Sequence, residues 1–215
     1  GSFRMLNIKA PEPCLINAQR PAAVAAGNVE TSSRIVDVVL GALAQALPQA
    51  IPAASHGGMN NLAMGHHASQ PGEQSWDYYE TIGGGMGAGP QTDGLSAVQT
   101  HMTNTLNTPI EVLEMHYPLR VTQYAIRRGS GGAGHQNGGD GIIREYEFLS
   151  AAQATVLTER RYHRPWGVQG GQAGMAGENS LNGESIGAKT TIRVKRGDRL
   201  CLRTPGGGAY GKTRG

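Results

Sequence analysis

The sequence predicts an α+β fold: one buried N-terminal helix, a Gly-rich polar segment, then an antiparallel β-rich body of sandwich or barrel-like form. Three features point there. Apolar residues recur at helical spacing between residues 31 and 48. Residues 51–110 are rich in glycine, amides and histidine and poor in core-forming side chains. From about residue 110 onward, short apolar runs, several alternating, are bounded by Gly, Asp and Asn.

Residues 3–20 read as extended chain broken by Pro11 and Pro13. Thr31 or Ser32 can cap the helix that follows. Ile35, Val39, Ala42 and Ala46 form one stripe on it, Val36, Leu40, Leu43 and Leu47 a second, and Pro48 ends it. Apolar residues on two stripes predict a largely buried helix. The strand candidates centre on Leu113/Met115, Val121/Ile126, Ile142/Tyr146/Phe148, Val156, Ile192/Val194 and Leu200/Leu202. Arg193–Leu202 reads as a hairpin turning at Gly197-Asp198. The expected division is 1–110, helix plus site-lining segment, and 111–215, β-rich domain, both parts of one larger chain.

The 33 glycines follow no collagen-like period and cluster between apolar runs, so they mark turns and close backbone approaches. Nineteen Lys and Arg against 16 Asp and Glu, without clustering, argue against a nucleic-acid partner. No apolar run approaches the length of a membrane span, and no signal peptide is visible. Cys14 and Cys201 stand far apart, as expected of unpaired thiols in a reducing, cytoplasmic setting.

Two glycine motifs imitate nucleotide sites. GGGAYGKT (Gly206–Thr213) fits the phosphate-loop pattern, and GSGGAG (Gly129–Gly134) fits a dinucleotide fingerprint. Both motifs require a following helix whose free N–H groups receive phosphate. The chain stops two residues after the first, and HQNGGDG follows the second, so neither is read as a nucleotide site.

Four polar clusters could hold chemistry. His56, Asn60 and Asn61 lie in ASHGGMNN, and Tyr78, Tyr79 and Glu80 lead into the loop Gly83–Gly89. Asp93, His101 and Asn104 lie in TDGLSAVQTHMTNT, where a helix would place His101 and Asn104 on one face. That histidine suits acid–base work or ligation, or is simply a hydrogen-bonded loop residue. Arg160, Arg161, His163 and Arg164 flank Trp166; they can clamp a carboxylate or phosphate, form a solvated strand edge, or contact a subunit. The adjacent His66-His67 pair points apart in extended chain and makes a poor metal site. No Ser- or Cys-nucleophile motif and no HExxH is present.

Long segments in the same order resemble the hydantoinase B / 5-oxoprolinase family: PAAVAAGNVETSSRIVDVVLGALAQALP, YYETIGGGMGAG, DGLSAVQTHMTNTLNTPIEVLE, LRVTQYAIRRGSGGAGHQNGGDGIIREYEFL, LTERRYHRPWGVQGG and TPGGGAYG. The resemblance implies a B-type chain, its C-terminal portion, working with an ATP-binding A-type subunit. That subunit, with ATP and Mg, would activate a small cyclic amide such as a hydantoin, N-methylhydantoin or 5-oxoproline for hydrolytic opening. It also implies a hetero-oligomer and a divalent metal held by family sequence N-terminal of Gly1. GSFR resembles the family's interior, so the chain is expected to start within a longer polypeptide. Catalytic residues are expected at His101, Asn104 and Asp93, with substrate contacts at Tyr79, Glu80, Asn60 and Asn61. An ATP-dependent acetone or acetophenone carboxylase subunit and a non-catalytic assembly module are the alternatives.

Overall fold

The computed structural model describes residues 2–5, 7–23 and 27–213. Helix α1 spans Ser32–Ala46 and continues a π-helical turn over Gly27–Thr31. Thr31 makes no side-chain cap; instead the Ser32 hydroxyl donates back to the carbonyls of Asn28 and Val29, each at 3.0 Å. At the other end Leu47 N–H closes on Leu43 O at 2.8 Å, just before Pro48.

The helix stands where its periodicity predicts, but it is not buried as expected. Its buried residues are Ser33 and Asp37, while Ile35, Val38, Val39, Leu43 and Leu47 are 40–68% exposed. An apolar stripe marks a face that favours cover, not which face this chain covers. Here ion pairs hold the polar face inward.

Beyond it run β1 (Asn61–His66), β2 (Trp76–Glu80), the short helix α2 (Ile110–His116), β3 (Leu119–Arg127), β4 (Gly141–Phe148) and β5 (Ala152–Leu157). The last strands are β6 (Glu178–Leu181), β7 (Glu184–Ser185), β8 (Lys189–Val194) and β9 (Arg199–Arg203). Two sequence readings change. Leu113 and Met115 lie on α2 rather than a strand, and Leu113 alone of that helix is buried. Arg193–Leu202 is not a hairpin either. β8 pairs with β5 and β9 with β4, so the turn at Gly197 (φ 87°) carries the chain from one sheet to the other. Asp198 holds the turn by accepting Lys195 N–H at 2.8 Å.

The named strands all pair antiparallel, in sheets ordered β2-β1-β5-β8 and β3-β4-β9-β6-β7. The first sheet takes two strands from each side of residue 110. Alternation sends Leu62 and Met64 of β1, Ala154 and Val156 of β5, and Ile142, Tyr146 and Phe148 of β4 into one shared core. The architecture is a two-sheet sandwich rather than a closed barrel. β4 also turns Arg144 inward, fully buried. It donates to Glu80 of β2 through Nε (3.0 Å) and Nη2 (3.2 Å) and to Tyr146 Oη (2.6 Å), joining the sheets by an ion pair.

The loops above the sandwich interleave backbone against backbone. Gly85 N donates to Pro205 O, Gly139 N to Met86 O, Gly207 N to Gly139 O and Gly132 N to Gly207 O, all at 2.8–2.9 Å. A Cβ on Gly207 would lie 1.9 Å from Met86 O, which only glycine avoids. This explains both imitation motifs. Every N–H from Gly206 to Gly211 already donates to a backbone carbonyl, so that loop presents no donors to phosphate. In the other, Gly131 N–H is held by Asp140 Oδ1 at 2.8 Å and Gly132 N–H by Gly207 O.

Candidate functional site

The polar face of α1 meets three loops and forms a buried network centred on Asp37. Its side chain is 1% exposed and receives three charged or ionisable donors. Arg34 Nη2 and Arg160 Nη2 (2.7 Å) both reach Oδ2, and His101 Nε2 reaches Oδ1 at 3.1 Å. Burial pushes the Asp37 pKa up, but the hydrogen bond from His101 and the charges of Arg34 and Arg160 outweigh it and hold the group below the usual range. Arg34 also donates to Gly57 O at 2.7 Å, tying the helix to the 53–61 segment.

His101 sits in a turn closed by Thr103 N–H to Thr100 O (3.3 Å) and Thr103 Oγ1 to Thr100 O (2.8 Å), not in a helix. Its φ of 60° is left-handed, a strained conformation for histidine that tertiary contacts must hold. The side chain is 14% exposed, so solvent reaches it while Asp37 lies behind. An ionised carboxylate only accepts, so Nε2 carries a proton, and in the neutral imidazole Nδ1 is then the nitrogen with the lone pair. Nearby His56 is buried, with neither ring nitrogen hydrogen-bonded. Burial, followed by the charge on His101, pushes its pKa down to about 3, so it stays neutral.

A second chain of polar groups runs from Tyr79 through Asn61 to Glu30. Tyr79 Oη donates to Asn61 Oδ1, and Asn61 Nδ2 donates to Glu30 Oε1 at 2.7 Å. Glu30 Oε1 also accepts Met59 N–H at 2.9 Å, while Oε2 is buried with no donor. Burial raises this carboxyl to about 7, against the Met59 hydrogen bond and with help from the charge of Glu159.

The remaining predicted site residues are distributed as follows. Asn104 is exposed on the His101 loop and enters neither network. Asp93 accepts Asn137 N–H at 2.7 Å, bracing two glycine-rich loops. Glu80 is locked against Arg144, Tyr78 and Asn107. Asn60 is buried between Ile82 O and Arg161. Of the four expected substrate contacts only Tyr79, 57% exposed, presents surface to solvent. Among the described residues no three His, Cys, Asp or Glu side chains group as metal ligands.

Sequence reasoning missed Asp37 and Glu30. Asp37 carries the signal that could have found it: a lone carboxylate inside an apolar helix.

The model of the family described as hydantoinase B/oxoprolinase matches residues 1–213. The chain belongs to the hydantoinase B/oxoprolinase family. It is 46% identical over 215 residues to an uncharacterized protein (MJ0963) of Methanocaldococcus jannaschii, covering 98% of this chain and 37% of that protein. It is 43% identical over 216 residues to 5-oxoprolinase 1 of Arabidopsis thaliana, covering 98% of this chain and 16% of that one. The crystal structure of the ATP-dependent caprolactamase from Pseudomonas jessenii superposes with a TM-score of 0.75 at 28% identity, over 91% of this chain and 36% of that chain. The chain thus spans little more than a third, or less, of the proteins it matches. No helix among the described residues is long and apolar enough to cross a membrane.

Proposed function

We propose that this chain supplies an acid–base wall in an ATP-dependent enzyme that hydrolyses a small cyclic amide, working with an ATP-binding A-type subunit and the rest of a B-type chain. The carrying observation is the His101–Asp37 pair: a partly exposed imidazole, its Nε2 proton directed to a buried carboxylate 3.1 Å away. Opening a cyclic amide requires a proton taken from the attacking water and one delivered to the departing ring nitrogen. His101 Nδ1 accepts the first and returns it as the second. Asp37 fixes the tautomer and stabilises the imidazolium between those events, and its other oxygen is saturated by Arg34 and Arg160. Tyr79 is the group at the surface of the neighbouring network that suits substrate contact.

Family membership and the ATP-dependent caprolactamase support this reading over a purely structural role. The test uses the assembled enzyme and measures ATP turnover that depends on hydantoin or 5-oxoproline. His101→Asn is the variant of choice, because asparagine tolerates the left-handed φ at this position. It should lower turnover by about 10²- to 10⁴-fold. Full activity of this variant with normal assembly leaves the chain a scaffold role. Stimulation by acetone or acetophenone with bicarbonate, and by no cyclic amide, moves the reading to carboxylation.

A further inference from the structure

On the other side of Arg34 and Arg160 lies a cavity of about 700 Å³, bounded by α1, the segment after β5 and the start of β8. Arg34, Arg160, Arg161, Arg164, Lys189 and Trp166 line it, with Glu159 as the carboxylate in its wall. The charges do not balance. Arg34 and Arg160 share the single carboxylate of Asp37, and Lys189 Nζ pairs with Glu159 at 2.5 Å. Arg161 and Arg164 have only neutral acceptors among the described residues. Arg161 donates to Asn60 Oδ1 (2.6 Å), Glu159 O (2.8 Å) and Asn179 Oδ1 (2.7 Å). Arg164 donates to Gly174 O (2.8 Å) and Ala173 O (3.2 Å).

Amide and carbonyl acceptors hold a guanidinium in place without cancelling its charge, which leaves a fixed field for an incoming anion. Burial pushes the Arg161 pKa down to about 9 against the opposing charge of Glu30, so the group remains charged at neutral pH. Arg160, 5% exposed at its side chain, has a buried Nε without an acceptor. It lies 4.6 Å from the Trp166 ring centroid, which brings an aromatic surface beside the cations. Five cations, one carboxylate and one indole lining a space this size suit a small organic molecule rather than a bare ion.

The geometry points to a binding site for a small molecule bearing a compact oxyanion, a phosphoryl or carboxylate group, with Arg160, Arg161 and Arg164 around the oxyanion and Trp166 against the organic part. The cavity shares Arg34 and Arg160 with the His101 site, so it would hold an anionic group of the molecule on which His101 acts. That link rests on the proposed function; the oxyanion site itself does not.

The experiment takes the full 215-residue chain with Trp76→Phe, which leaves Trp166 the sole indole. Inorganic phosphate, acetate and chloride are titrated at matched ionic strength while emission is followed. We expect a saturable response to phosphate or acetate but not chloride, weakened about tenfold or more in Arg164→Gln. Arg161→Gln is the second variant, and circular dichroism checks the folding of both. Response to phosphate alone identifies a phosphoryl group, and equal response to acetate a carboxylate. No saturable response to either anion, or unchanged affinity in both folded variants, overturns the site. Cyclic-amide-dependent turnover that survives such a failure leaves the role of His101 standing, so the two failures are distinguishable.

Discussion

Replacing Glu30 by glutamine should stabilise the chain, and only above mildly acidic pH. The folded carboxyl is raised from 4.5 to about 7, chiefly by burial, and its Oε2 has no donor. Between these values the unfolded chain releases the proton while the folded chain retains it. Native stability therefore falls as pH rises through that window, and the full penalty is present above it. A shift from 4.5 to about 7 corresponds to about 3 kcal/mol at one pKa unit per 1.36 kcal/mol. Glutamine keeps an acceptor for Met59 N–H and Asn61 Nδ2 and removes the ionisation. Urea unfolding of both proteins at pH 4.5 and pH 8 measures the difference. The variant should match the parent at pH 4.5 and exceed it by about 2–3 kcal/mol at pH 8, or roughly 6–10 °C in Tm. A gain of the same size at both pH values, or none at pH 8, would refute the assignment of a buried, proton-retaining carboxyl.

Arg144→Met should cost about 3–5 kcal/mol in equilibrium unfolding, because it strands the Glu80 carboxylate between the sheets; adding Glu80→Leu should recover much of that loss. Gly207→Ala sets a methyl 1.9 Å from Met86 O and should sharply lower the yield of folded protein, read by circular dichroism and soluble expression. Val39→Ser and Leu43→Ser, on the exposed side of α1, should change the chain's unfolding free energy by no more than about 0.5 kcal/mol.

Strands in the second half were legible because alternation survives in residues such as Ile142, Tyr146 and Phe148, whose faces are unambiguous. β1 and β2 were hidden because Asn61, Gly65, His66, Asp77 and Glu80 interrupt their apolar pattern, and what buries Glu80 is Arg144, 64 residues away. The same limit governed the site. Loop chemistry left His101 open and the family resemblance nominated it, but its partner Asp37 lies 64 residues earlier, and only the folded chain brings the two together. The orientation of α1 was misread because the pattern of apolar residues is silent about a salt-bridged face. Asn60 and Asn61 were nominated as polar residues beside glycines and Glu80 as the lead into the Gly83–Gly89 loop, and all three are occupied by internal hydrogen bonds.

The interleaved glycine loops have a consequence for how the chain reaches its native state. Their contacts join residues near 85, 139 and 207, so this layer cannot close until almost the entire segment has left the ribosome. Such high contact order slows folding and lengthens the time during which β4 and β9 present unpaired edges. Yield in cells should accordingly depend on translation speed and chaperone supply, independently of how stable the finished sandwich is.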